Sequence, residues 1–406
     1  VANGAARLGA GLTAPFLLVY LHLVRHIGLV DVGLILAVQN GVGLIAVPAV
    51  GAYVDRIGWR PALVATLVVA AVGTAAMAPA RVAWQAFVAA FVMGAGTAGM
   101  WGALAPALGE VAAVRERAAA FAVNYAMTNL GLGVGALIGG VVLTTRNPVA
   151  FQVVFGLDAL GSCLFALAVR AWPAGSPPAP AGRRPARPGE GALTALLADR
   201  ALVAILVVAS LAAVAGFAQF GTAFAGWATR IAPGSVTRVL GLAFAANTLT
   251  VVAVQLPVLR YALPGRRRTD MAAAGCALFG LTWLVALAAG ALPGTGWRET
   301  GLIASLAVFG VGETFWSASF SSLVNDLAPD RLRGRYNAAL SWTWSVGGVV
   351  GPVFAGLFLA AGRAPQLLAV LAAVCALAAG GALALGRRLP PALDRGTHLD
   401  ATAAPS

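Results

Sequence analysis

The sequence contains no lysine; all 27 of its Lys/Arg positions are arginine. Without lysine there is neither a Walker A phosphate loop nor a Schiff-base lysine. A P-loop ATP-driven pump within this chain is thereby excluded. Charge of either sign is scarce: 10% of the 406 residues are charged, against roughly 25% in soluble globular proteins. Cysteine is limited to Cys163, Cys276 and Cys375, each inside an apolar run. They are expected to be small packing residues, not disulfide or metal partners. His22, His26 and His398 show no metal-ligand spacing. No nucleophile–base pair or metal cluster of an enzyme appears. No cleavable signal peptide separates from the first apolar run, and a few residues ahead of Val1 are expected to be missing.

What the chain has instead is apolar sequence: 60% hydrophobic residues and a mean hydropathy of +0.87. Such a chain is solvated by lipid. With about 20 residues per bilayer crossing, it holds about twelve spans. Polar breaks place them near 5–25, 32–54, 62–80, 83–108, 118–144, 151–172, 201–226, 239–261, 270–291, 301–324, 337–361 and 366–386. The net charge of +13 would suggest nucleic acid in a soluble protein. Here the arginines sit in loops, so the positive-inside rule accounts for them and no nucleic-acid partner is expected. Nineteen follow even-numbered spans, seven follow odd-numbered ones, and Arg7 lies in or near the first span. A multi-pass protein of the inner (cytoplasmic) membrane is expected, with both termini cytoplasmic. Snorkelling to the cytoplasm is the expected state of Arg7.

Residues 173–200 carry six prolines with Arg183, Arg184 and Arg187. That composition predicts an extended cytoplasmic linker. It divides the chain into a six-helix half (1–172), a second six-helix half (201–388) and a cytoplasmic tail (389–406). A shift of 216 residues superimposes two segments. Arg117 meets Arg333, Gly131 meets Gly347, Gly135 meets Gly351, Ala136 meets Pro352, and Gly140 meets Gly356. Two six-helix repeats related by an axis along the membrane normal are a transporter architecture.

Between the second and third spans stands Gly51-Ala52-Tyr53-Val54-Asp55-Arg56-Ile57-Gly58-Trp59-Arg60-Pro61. Gly51 suits close helix approach, Gly58 a turn, and Pro61 a helix first turn. Asp55 is suited to accept from arginine or a helix N-terminus. This segment resembles the signature loop of the major facilitator superfamily, G-x-x-x-D-R/K-x-G-R/K-R/K. The resemblance implies that Gly51, Asp55, Arg56, Gly58 and Arg60 form a latch between the halves in the outward-open state. Trp59 stands where the pattern has a basic residue. A weaker copy, Arg260 to Arg268, aligns Gly265 and Arg267 with Gly58 and Arg60 but has Ala262 in place of the aspartate.

The faces Gly131, Gly135, Gly139, Gly140 and Gly347, Gly351, Pro352, Gly356 resemble the superfamily's helix-5 glycine motif, which is associated with exporters. Ala136 replaces its proline. The surroundings of Asn124 to Gly131 look like bacterial multidrug-exporter branches. Drug/proton antiporters carry an arginine early in helix 4, and Phe91–Trp101 has none.

Two carboxylates fall inside spans, where charge costs roughly 2.5–3.5 kcal/mol or more at the centre. Glu313 lies near mid-span ten and Asp158 in span six. Glu313 is the first candidate for proton coupling or substrate binding and Asp158 the second. Gln39, Asn40, Trp101, Asn124, Tyr125, Asn129, Gln219, Asn247, Trp316, Ser341, Trp342 and Trp344 are expected to line a cavity. Aromatic side chains with few charges favour an amphipathic substrate.

The resemblance thus implies an all-α membrane protein with twelve transmembrane helices in two pseudo-symmetric halves. Proton-coupled export of a small amphipathic compound by alternating access is the leading expectation. An importer of a sugar or other metabolite, and a non-transporting sensor or scaffold, are the alternatives. The expected partners are a small-molecule substrate, protons and membrane lipids. No cofactor and no metal are expected, and the chain is expected to act as a monomer.

Overall fold

The computed structural model describes residues 2–111, 117–172, 196–262, 265–317, 319–329 and 332–395. Arg115, Arg331, the linker arginines Arg183, Arg184 and Arg187, and the tail from residue 396 lie outside the described residues. Among the described residues, twelve helices are long and apolar enough to cross a bilayer. They are α1 (Asn3–Val24), α2 (Leu29–Ile57), α3 (Trp59–Met77), α4 (Ala83–Val111), α5 (Arg117–Val142), α6 (Pro148–Ala171), α7 (Arg200–Ile231), α8 (Val236–Pro257), α9 (Arg268–Ala289), α10 (Thr295–Leu327), α11 (Arg333–Ala360) and α12 (Ala364–Arg388). A short α13 (Pro391–Arg395) follows.

Local chemistry sets the helix ends. Asn147 Oδ1 accepts from Val149 N and Ala150 N, with Pro148 at the first helical position of α6. Asp199 caps α7 in the same way, through Ala201 N and Leu202 N. A single residue, Gly58 at φ 87°, joins α2 to α3, a conformation that a side chain would oppose.

The repeat extends to irregular backbone. In α1 a 3₁₀ turn over Ala14–Phe16 precedes a π turn over Tyr20–Val24. In α7 the same order recurs, with Phe217–Gln219 before Phe220–Phe224. Gln219, fully buried, stitches this break by donating Nε2 to Val214 O and Gly351 O.

Helices α1–α6 and α7–α12 form two halves that meet along α2–α11 and α5–α8. The tightest approaches lie at the end that carries the odd-numbered loops. A Cβ on Gly241 would stand 2.5 Å from Ala136 O and 2.7 Å from Gly140 Cα. One on Gly33 would stand 2.5 Å from Pro352 O and 3.1 Å from Gly356 Cα. Thr237 Oγ1 donates to Leu143 O across the same seam, at 2.7 Å. At the arginine-rich end the halves diverge. There Gly51 and Gly334 have no neighbouring atom within 4 Å of a Cβ position. The structure is closed at its arginine-poor end and open at the other.

Within each half the rim at the open end is tied. Arg60 Nη2 donates to Trp172 O at 2.6 Å, joining the start of α3 to the end of α6. Arg267 Nη1 donates to Gly386 O at 2.7 Å, joining the start of α9 to the end of α12. In the second half Asp394 of α13, fully buried, adds a cap to α9. Its carboxylate accepts from Thr269 N at 3.0 Å and Thr269 Oγ1 at 2.7 Å. Asp394→Ala strips both acceptors from a buried helix start and should destabilise the chain by about 1–3 kcal/mol. Thermal unfolding in detergent reads this as a lowered midpoint, with Asp394→Asn recovering part of the loss.

Candidate functional site

A cavity of about 500 Å³ lies between the halves. Three helices present it with stripes at helical spacing: Tyr125, Thr128, Asn129 and Leu132 from α5; Glu313, Trp316, Ser317 and Phe320 from α10; Leu340, Thr343 and Trp344 from α11. Residues three and four apart share a helix face, so each stripe turns one surface inward. Trp101 of α4 and Ala209, Ala213 and Phe217 of α7 add to the wall. Phe217 projects from the irregular turn that follows Gly216, and its ring centroid lies 4.6 Å from that of Trp344.

Glu313 is the acidic residue among the described lining. Tyr125 and Asn247 lie near enough to its carboxyl to interact with it electrostatically. Tyr125 belongs to the first half and Glu313 to the second, so this contact crosses the cavity. No arginine or histidine appears in the described lining.

Of the residues expected to line a cavity, the structure brings Trp101, Tyr125, Asn129, Trp316 and Trp344 together around Glu313. The others lie elsewhere. Asn124, one position from Tyr125, is rotated by about 100° on the helix. It accepts from Asn3 Nδ2 and borders a separate pocket of about 280 Å³ with Trp59 and Trp172. Ser341 donates to Asn337 O within α11, and Trp342, 61% exposed, lies outside the cavity lining. Asn40 bonds Leu36 O and packs at the Gly348 contact between the halves. Gln39 has a buried Oε1 without a partner. Gln219 serves the α7 break, and Asn247 is buried behind Glu313. Thr128, Phe217, Phe320 and Thr343 were not singled out from sequence. Stepping three or four residues from Tyr125 and Trp316 finds Thr128 and Phe320; Thr343 adjoins Trp344, and Phe217 sits in the α7 break.

The loop from Gly51 to Pro61 lies at the open end. Asp55 and Arg56 are exposed, and among the described residues Asp55 makes no hydrogen bond or ion pair. Arg60 reaches Trp172 O and lies 5.8 Å from the Trp59 ring centroid. Gly51 was expected at a close helix contact; with this rim open, no helix approaches it.

The sequence model of the Major Facilitator Superfamily matches residues 1–234 and 230–404. The chain belongs to the Major Facilitator Superfamily. Membership makes it a carrier of small molecules and not an enzyme. The uncharacterized MFS-type transporter YqjV of Bacillus subtilis (strain 168) is 23% identical over 377 residues, 91% of this chain and 88% of that one. The tetracycline resistance protein, class C, of Escherichia coli is 31% identical over 162 residues, 38% of this chain and 40% of that one. In fold, the chain is similar to a bacterial homolog of the human lysosomal transporter Spinster in an inward-facing and unoccupied conformation. The TM-score is 0.73 at 13% identity, covering 95% of each chain.

This superfamily member carries a second set of intramembrane charges apart from the cavity. Asp158, 5% exposed, accepts from Thr13 Oγ1 at 2.7 Å and packs on Gly9. Arg7 was expected to snorkel. Instead its guanidinium turns into the bundle, where it touches Met100 Sδ and lies 5.5 Å from the Trp101 ring centroid. Its Nε is buried without a partner, and it feels the charge of Asp158. A rigid wall of α4 on one side and α6 on the other gives the side chain an interior course that its place in the sequence does not announce.

Proposed function

We propose that this chain exports a small amphipathic compound in exchange for protons, by alternating access, as a monomer in the cytoplasmic membrane with both termini inside. The observation that carries this is Glu313, an ionisable group in an aromatic cavity between the halves, within reach of Tyr125 on the opposite half. A carboxyl so placed joins protonation to the relation between the halves. By the arginine bias the open end faces the cytoplasm, so the cavity awaits cargo from inside. The partial similarity to a tetracycline resistance protein supports the outward direction.

Gly51, Asp55, Arg56, Gly58 and Arg60 act in this scheme as a latch. Asp55 is idle while the cytoplasmic rim is open and engages when it closes. Asp158, held by Thr13 outside the cavity, is the second proton-carrying candidate.

Everted vesicles test the proposal. With an imposed acid interior they should accumulate amphipathic dyes, and collapse of the gradient should release them. Accumulation by right-side-out cells in place of everted vesicles would mean import. No gradient response with any compound of the panel would mean a sensor or scaffold.

A further inference from the structure

The cavity has an uneven electrostatic layout. Its acid, Glu313, faces no arginine or histidine among the described lining residues. The nearby cation, Arg7, lies outside the lining, where it stands against Trp101 and is answered by Asp158. An ionised Glu313 therefore leaves negative charge in a mostly aromatic chamber, a state that calls for a cation. Rings surround it unequally. Trp316 lies one turn from Glu313 on the same face of α10, and Tyr125 lines the same cavity from the other half, close enough to feel the carboxyl's charge. Aromatic faces attract organic cations. Trp101 already has a guanidinium against its ring, so a second cation there meets like charge.

We infer that the substrate is an organic cation with a flat apolar body, whose charged head sits at Glu313, Tyr125 and Trp316 and whose body lies toward Trp101. This deepens the transport proposal and rests on it. The layout separates a cation-accepting end around Glu313 from a cation-repelling wall at Trp101, which also fixes the orientation of the cargo.

The test uses the full chain in nanodiscs, with binding to empty nanodiscs subtracted. The paired ligands are (2-naphthylmethyl)trimethylammonium and its uncharged isostere, in which carbon replaces nitrogen. The cation should bind about tenfold more tightly than the isostere. Glu313→Gln should remove that difference by weakening the cation alone. Trp316→Leu should weaken the cation more than the isostere, whereas Trp101→Leu should weaken both alike. Equal affinities in the unsubstituted chain, a measurement needing no variant, would overturn the inference, as would a preference that survives Glu313→Gln. Failure of both ligands to bind would overturn it too. If the isostere is preferred and still concentrated by everted vesicles, the carrier proposal stands and only the cation inference falls. The absence of gradient-driven accumulation across the whole dye panel is the separate failure of the carrier proposal.

Discussion

Glu313→Gln should abolish gradient-driven accumulation while leaving downhill exchange of substrate measurable. Glutamine keeps the shape and hydrogen-bonding capacity of a neutral carboxyl but cannot release a proton. The site is then held in one charge state, and the imposed gradient loses its handle on the cycle. With a mid-membrane charge worth roughly 2.5–3.5 kcal/mol, uphill transport should drop on the order of 100-fold. The pH dependence of exchange should flatten at the same time. Glu313→Asp, which retains an ionisable group displaced by one methylene, should keep a pH response at reduced rate. Unaltered uphill transport in Glu313→Gln would remove Glu313 from the coupling step and leave Asp158 as the acid to test.

Gly241→Leu should disable the seal at the arginine-poor end. At this position even a Cβ meets Ala136 O and the Gly140 backbone, and neither can rotate away. The larger side chain forces α5 and α8 apart. Overpacking of this kind costs about 1–3 kcal/mol, charged here to one conformation only. The balance between conformations should shift about tenfold or more away from the form described, and transport should fall with it. The readout is a Thr237→Cys reporter in a background lacking the native cysteines. Thr237 lies in the seam, so labelling by a membrane-impermeant maleimide from the outer side should be slow in the parent and fast with Gly241→Leu. Gly156→Leu is the control, since Gly156 has open space around it. Slow labelling in both would show that this contact is not the seal.

The sequence carried the fold because its signals were long or chemical. Twelve apolar runs, an arginine bias and a repeat at fixed offset each survive errors of a few residues at the boundaries. The candidate site was legible only in part, for a geometric reason. Polar character marks a residue in a span as notable but does not say which way it points. Tyr125 and Asn124 are adjacent and equally polar, yet one faces the cavity and the other a pocket inside its own half. Trp344 and Trp342 divide in the same way, the first inside the cavity lining and the second outside it. Spacing of three and four groups residues along one helix but does not say which stripe of that helix faces the cavity. Gln219 and Arg7 were illegible for other reasons. The first serves a helix break that composition does not reveal, and the second follows a tertiary course set by α4 and α6.

The two arginine ties have a bearing on energetics. Arg60 fastens the third helix to the sixth, and Arg267 fastens the ninth to the twelfth. Each set of six helices is thereby fastened at its rim, which limits how far these helix ends can part under a push from the cargo. Any free energy of binding is then passed to the seams α2–α11 and α5–α8. Moving a two-state balance from one extreme to the other takes only about 5.5 kcal/mol of differential affinity. Two halves each fastened at the rim can be turned over by a ligand of modest strength, to the extent that the push reaches the seams and is not spent parting helices within a half.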